Sequence, residues 1–215
     1  DYSDVQIPGS SGCVVNGLPT FCGVITNAGK ARFQGGELEA TARVTDGLTL
    51  SGALGYIDAE YKEYITQIAG RGPVDVADFR EVQNTPKVTA TGTIAYTTAL
   101  GSGDLGLSST LSYRSKTYQF EIPNPFLDQD GYALLDASIV YTAEGGRWSL
   151  GLHGKNLTDK EYKTSGYTFL AADPVTGVLT RNAAGNLVPS LGREGTLTAF
   201  YGNPRQIFVT GTVKF

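Results

Sequence analysis

Apolar and polar residues alternate along most of this chain with a period of two. In "GELEATARVTDG", Leu38, Ala40, Ala42 and Val44 alternate with Glu37, Glu39, Thr41, Arg43 and Thr45. In "TPKVTATGTIAYTT", Val88, Ala90, Gly92, Ile94 and Tyr96 alternate with Lys87, Thr89, Thr91 and Thr93. "LGLSSTLSYRS" sets Leu105, Leu107, Leu111 and Tyr113 against Ser108, Thr110, Ser112 and Arg114. The final "PRQIFVTGTVKF" sets Ile207, Val209, Val213 and Phe215 against Thr210, Thr212 and Lys214. A two-residue period predicts strands with one apolar and one polar face. No segment sustains a 3.6-residue period, so no helix is predicted.

The connections alternate in length. Short Gly/Asp turns stand at 45–48, 100–104 and 143–147. Between them run long polar links at roughly 9–29, 64–84, 120–130 and 164–203, unusual lengths for a compact domain. Short turns at one end and long loops at the other are the pattern of an antiparallel transmembrane β-barrel. Tracing back from Phe215 predicts strands at 147–163, 131–143, 105–119, 85–99, 48–63 and 30–45, with 1–8 the top of another. That makes about eight strands. Tyr96, Tyr141, Trp148 and Phe215 then fall near the short-turn ends and Tyr56 and Tyr113 nearer the other, on the apolar face, as two interfacial girdles require. Alternation also marks a soluble β-sandwich, which stays open on pattern alone.

Composition narrows the class. The chain has 215 residues with net charge −4, 28 Gly, 12 Tyr, one His and no Met. Charges are sparse and cluster between the apolar segments. No apolar run of about 18 residues exists, which excludes a transmembrane helix. The acidity argues against a nucleic-acid partner, which calls for a basic stripe. Asp1 follows no signal-peptide pattern, so the chain reads as a mature form or as starting partway through a longer protein.

Candidate chemistry is thin. Cys13 and Cys22 share one long loop, and an extracytoplasmic pair of this kind predicts a disulfide. No further His or Cys lies near them, so neither a metal nor a cofactor is expected. His153 sits on the polar face beside Lys155 and reads as a hydrogen-bonded filler. Glu37 and Glu39 could mimic an acid/base pair, but Arg43 and Lys87 nearby make a charge network the better reading. "NLTD" contains an N-x-T sequon, and "GSGDLG" and "NAGKAR" lack the full phosphate-loop spacing and read as turns. With Ser and Thr scattered and the His without a carboxylate in its motif, no catalytic residue is assigned and no enzyme is expected.

Four stretches carry a resemblance: "NAGKARFQGGELEATARVTDGLTLSGALGYIDAEY", "NTPKVTATGTIAYTT", "HGKNLTDKEY" and "YGNPRQIFVTGTVKF". In this order they resemble the C-terminal part of TonB-dependent outer-membrane receptors. Asn156-Leu157-Thr158-Asp159 followed by Tyr162, and Pro204-Arg205 before the last strand, are the most specific pieces. The resemblance implies a 22-stranded barrel, of which residues 1–215 would be the C-terminal portion, with plug and earlier strands absent. It implies a bacterial outer-membrane transport receptor for a small-molecule substrate, most commonly an iron–siderophore complex, energised by the TonB system through the plug. A passive porin or a small adhesin-like barrel is the alternative. Arg71, Tyr118, Phe169, Arg181 and Arg193 in the loops are the candidate substrate contacts. Outer-membrane lipid and the outer-membrane assembly machinery are further expected partners, with Phe215 the implied assembly signal. The isolated chain is expected not to close on itself, because one strand edge would stay unpaired.

Overall fold

A computed structural model describes the chain apart from residues 28, 69 and 191–196, and apart from the side chains of 7–13, 19–21, 23, 24 and 26. In chain order the strands are β1 (Tyr2–Ser3), β2 (Gln6–Val15), β3 (Leu18–Asn27), β4 (Lys30–Arg43), β5 (Leu48–Glu63), β6 (Ile65–Ile68) and β7 (Gly72–Asp75). They continue as β8 (Val88–Leu100), β9 (Gly103–Arg114), β10 (Tyr132–Thr142), β11 (Trp148–Lys155), β12 (Lys163–Thr168), β13 (Leu197–Tyr201) and β14 (Gln206–Val213).

Eight of them form one antiparallel sheet in the order β1-β4-β5-β8-β9-β10-β11-β14. Its edges, β1 and β14, are not paired with each other, so the sheet is open, as expected for part of a barrel wall. Expected and observed spans agree to the residue for β5 and within a few residues for β4, β8 and β10.

Register shows how the alternation is used. On one face Leu38 opposes Leu54 and Leu54 opposes Ala90. Tyr96 opposes Leu107, Leu107 opposes Ile139, Ile139 opposes Leu152, and Leu152 opposes Val209. This continuous apolar face is uncovered: Leu38 is 67% exposed, Ile94 56%, Leu111 54% and Val209 66%. Water would not tolerate so large a contiguous apolar patch, and no second sheet covers it among the described residues. That removes the sandwich alternative. Aromatic residues mark its limits, Tyr141 with Trp148 (ring centroids 5.4 Å apart) at the short-turn end and Tyr56 opposite Val88 at the other. Ser109 is a polar residue on this face, and its hydroxyl donates to the Asp136 carbonyl at 3.2 Å.

The opposite face is lined with hydroxyls and a few fixed charges. Thr93 bonds Thr110 at 2.9 Å and Ser108 bonds Ser138 at 2.8 Å. Lys155 Nζ reaches Asp136 at 2.7 Å. His153 is the filler the sequence suggests: its Nε2 lies 2.9 Å from Thr210 Oγ1, and its ring stacks on Phe208 at 5.0 Å. The expected network of Glu37 and Glu39 with Arg43 and Lys87 does not form. Arg43 turns back to Asp46 at 3.3 Å and Lys87 lies 3.9 Å from Asp58.

Five expectations need correction, the first being the strand expected over 105–119, which runs Gly103–Arg114. Residues 1–8 do not form one strand: Asp4 has φ 58°, which ends β1, and the chain leaves the sheet. The strand expected over 147–163 stops at Lys155, because Asn156 has φ 47°. The segments expected as long polar links carry strands of their own, three two-stranded ribbons, β2–β3, β6–β7 and β12–β13. The last strand ends at Val213 rather than Phe215; Lys214 N–H is held by the Arg147 carbonyl at 2.9 Å, and Phe215 is fully exposed.

In the β2–β3 ribbon, Asn16 (φ 53°) and Gly17 (φ 80°) make the left-handed two-residue turn that matches strand twist. Ser11 pairs with Cys22 and Cys13 with Thr20, so the two cysteines are diagonal neighbours. Cys22 is not a free thiol, and the Cys13 side chain lies outside the described residues. Intact mass of protein isolated without reductant is expected to lie two hydrogens below that of the reduced chain, and alkylation without reductant is expected to add nothing. Two alkylated thiols would refute the disulfide.

Candidate functional site: the interlaced loops

The connections 64–87, 115–131 and 156–205 all leave the sheet at the end opposite its short turns. A chain this long could not stay ordered there without contacts that offset its conformational entropy. A small core supplies part of them. Val76 is wholly buried against Tyr64, with Val5, Tyr61, Val74, Ala77 and Val175 packed around the pair. Asp75 fixes the local turn, its Oδ1 accepting from the Tyr64 and Ala77 N–H groups at 3.0 Å each.

Arg80 joins two of the loops. Its guanidinium donates to the carbonyls of Val175 and Pro174 at 2.9 Å each and to Phe79 at 3.1 Å, and lies 5.6 Å from the Tyr64 ring centroid. Burial pulls its pKa down, opposed by nearby Glu121 and Asp173. The clamped segment is itself a side-chain turn. Asp173 Oδ1 accepts from Val175 N–H, Thr176 N–H and the Thr176 hydroxyl, and those Thr176 donors hold its carboxyl below the usual range.

The third loop is tied in by backbone bonds. Glu81 N–H donates to Glu121 O at 2.8 Å and Asn84 N–H to Tyr118 O at 2.9 Å, while Gln83 Nε2 reaches Glu121 Oε2 at 2.7 Å. Lys163 closes the circuit, its N–H donating to Gln129 Oε1 at 2.7 Å and its Nζ to Phe126 O at 2.9 Å. Asp128 beneath is buried, which raises its pKa, with the Asn124 N–H and Lys116 opposing.

A second knot holds the approach to β14. Asn156 is buried, accepts from Lys160 N–H at 2.9 Å, and donates to Lys160 O at 2.9 Å and Asn203 O at 3.1 Å. Asp159 Oδ1 accepts from Arg205 N–H at 2.8 Å. Tyr162 stacks on Tyr132 with centroids 4.7 Å apart and lies against Gly202. The NLTDKEY and YGNPR stretches are therefore two halves of one clasp.

A cleft of about 180 Å³ lies among the loops, lined by Ile57, Val82, Lys87, Lys116 and Tyr118 among others. Of the candidate contacts among the described residues, only Tyr118 lines it, half-buried beneath the Lys116 ammonium at 4.6 Å from its ring. Arg71 sits exposed at the β6–β7 turn. Phe169 packs on Tyr167 at 5.8 Å. Arg181 donates to Gly185 O at 2.7 Å within its own turn. Arg193 lies outside the described residues. Sequence reading missed Arg80 and Lys116, and it placed Lys87 with Glu37 and Glu39 rather than in this cleft; only the Asp173-Pro-Val-Thr-Gly turn carried a local signal.

A family model described as TonB dependent receptor-like, beta-barrel matches residues 1–157. Three solved receptors share the fold. The ferric yersiniabactin uptake receptor FyuA from Yersinia pestis is 20% identical, with TM-score 0.63 over 89% of this chain and 25% of its own. The siderophore receptor PiuA from Acinetobacter baumannii is 21% identical, with TM-score 0.59 over 87% and 22%. BauA, the ferric preacinetobactin receptor from Acinetobacter baumannii, is 22% identical, with TM-score 0.54 over 96% and 25%. The chain thus spans about a quarter of the length of these receptors.

Proposed function

Because the chain belongs to the TonB-dependent receptor β-barrel family, we propose that it is a section of the barrel wall and external loops of an active-uptake receptor, carrying a ferric siderophore inward with energy supplied through TonB. A barrel of this family sits in the bacterial outer membrane, so the bare apolar face meets lipid and the hydroxyl-lined face meets the lumen. The family match carries the reading. The faces support it: the polar wall is wet and weakly charged, and it leaves Glu37 and Glu39 without an ion pair among the described residues for the cations of a lumenal plug. The siderophore assignment rests on the kind of protein the three fold relatives are. The proposed role breaks no covalent bond, so no catalytic residue is assigned.

The test is uptake of radiolabelled iron by iron-starved cells carrying or lacking the full-length gene, offered a panel of ferric siderophores. Uptake of at least one complex should depend on the gene and collapse when TonB is removed. Gene-dependent uptake that persists without TonB would instead mark a passive porin. No gene-dependent uptake of any complex would overturn the substrate class.

A further inference from the structure

The three long connections are rich in rings and poor in spare positive charge. Over 64–87, 115–131 and 156–205 they carry ten Asp and Glu against nine Lys and Arg. Most of the cations among the described residues are already committed. Arg80 holds the Val175 and Pro174 carbonyls, Lys163 the Phe126 carbonyl and Arg181 the Gly185 carbonyl. Lys116 lies against Asp128 and the Tyr118 ring, Lys87 against Asp58, and Arg205 against Asp159. Rings, by contrast, stand open: Phe79, Phe126, Tyr167, Phe200 and Tyr201 are each at least 41% exposed.

Three rings gather at the β12–β13 ribbon. Ser165 pairs with Phe200 and Tyr167 with Thr198, so Tyr167 and Phe200 are diagonal neighbours on one face. Their centroids lie 6.2 Å apart at 46°, and Phe169 stands 5.8 Å from Tyr167 at 56°. Tilted in this way, the rings leave much of their surface uncovered. The ribbon's other face is packed: a Cβ on Gly166 would lie 2.7 Å from Leu127, which is wholly buried. Lys163 fixes the ribbon's root through Gln129 and Phe126. Tyr162 beside it stacks on Tyr132, which shares the lumenal face with Asp136 and Ser138, so the root stands on the lumenal side. The back-face contacts already hold the ribbon, so its fold does not require the open rings.

We propose that Tyr167, Phe200 and Phe169 form a platform for the aryl groups of a ferric chelate of low net charge, and that these loops select against triply anionic chelates. The proposal rests on the siderophore reading above and narrows it. A chelate entering the loops gives up water from its surface. A triply negative complex would find no net positive charge in these connections to replace that water. A near-neutral complex with aryl caps loses less on desolvation and gains edge-to-face and offset contact with the tilted rings. Phe and Tyr also present a large apolar area on only two rotatable side-chain bonds, so ordering them against a ligand costs little entropy.

The experiment titrates the full-length receptor in neutral detergent with three iron(III) complexes: a near-neutral phenolate–oxazoline chelate, a neutral trihydroxamate without aryl rings, and a triply negative tris-catecholate. The phenolate–oxazoline complex should bind most tightly, with an affinity that changes little with salt. Tyr167→Ala/Phe200→Ala should weaken it roughly thirtyfold, from two lost ring contacts. Tyr167→Phe/Phe200→Tyr, which keeps both rings, should bind as the parent does. Heat-modifiable migration should be the same in all three proteins. Tightest binding of the tris-catecholate, falling steeply with salt, would overturn the proposal alone. So would tightest binding of the trihydroxamate, or parental affinity for the phenolate–oxazoline complex in the alanine variant. Binding of none of the complexes would overturn the proposal together with the siderophore reading beneath it.

Discussion

Arg80→Ala will release the 173–178 turn from the loop core while leaving the barrel intact. Arg80 is 9% exposed, and its guanidinium supplies the donors for the Pro174 and Val175 carbonyls across the loop boundary. Alanine removes those donors and the cation from the Tyr64 face, and it exposes the edge of the Val76 cluster. Hydrogen bonds from a charged donor are worth about 1.5–3 kcal/mol each when mutationally removed. Because water re-solvates the freed carbonyls, the local loss should be on the order of 3 kcal/mol. Amide exchange across 173–178 should accelerate roughly a hundredfold, and proteases should cut there in the folded full-length receptor. Arg80→Lys keeps the charge but cannot span two carbonyls with one planar group, so it should fall between the two. Parental exchange rates in the alanine variant would mean that Tyr64, Val76 and the backbone bonds hold the loops unaided. If the loops capture substrate as one body, the same variant should also weaken ferric-siderophore binding, with assembly unaffected.

What was legible in the sequence follows the range of the interactions. The alternation that places Leu50, Leu54 and Tyr56 opposite Ile94, Ala90 and Val88 is local to each strand, so spans and faces could be read directly. Two strand ends were misread because a single left-handed residue, Asp4 or Asn156, ends the strand where the polar pattern does not break. Phe208 broke the expected alternation for a reason visible only across strands: it covers the His153 ring. The ribbon β6–β7 has four residues per strand, too few for a period to declare itself. The loop site was the least legible part. Arg80 and Val175 are 95 residues apart, and no composition rule in "ADFR" names its acceptors. The clasp motif shows in the sequence as a resemblance, but its physical content lies in pairs more than forty residues apart: Asn156 answers Asn203, and Asp159 answers Arg205.

That clasp gives the second large effect, at Gly202. Gly202 has no left-handed backbone that would demand glycine; its constraint is space. A Cβ there would coincide with the ring of Tyr162, overlapping Cζ, Cε2 and the hydroxyl. The ring cannot swing away without breaking its stack on Tyr132, whose centroid is 4.7 Å away at an interplanar angle of 18°. Gly202→Ala should therefore destabilise the clasp by about 1–3 kcal/mol, the usual cost of overpacking, and Gly202→Val by more. The loss should be felt at β14, because the next residues, Asn203 and Arg205, bond to Asn156 and Asp159 and set where the last strand joins β11. Thermal loss of the heat-modifiable form of the full-length receptor should shift downward in the order parent, alanine, valine. Truncating the obstructing ring separates crowding from every other account. Tyr162→Ala alone sacrifices the stack on Tyr132, but in that background Gly202→Ala should cost almost nothing. The coupling between the two substitutions should thus nearly cancel the single-variant cost of Gly202→Ala. If the two losses add instead, Gly202 is not there to admit the ring, and the clasp depends on its hydrogen bonds alone.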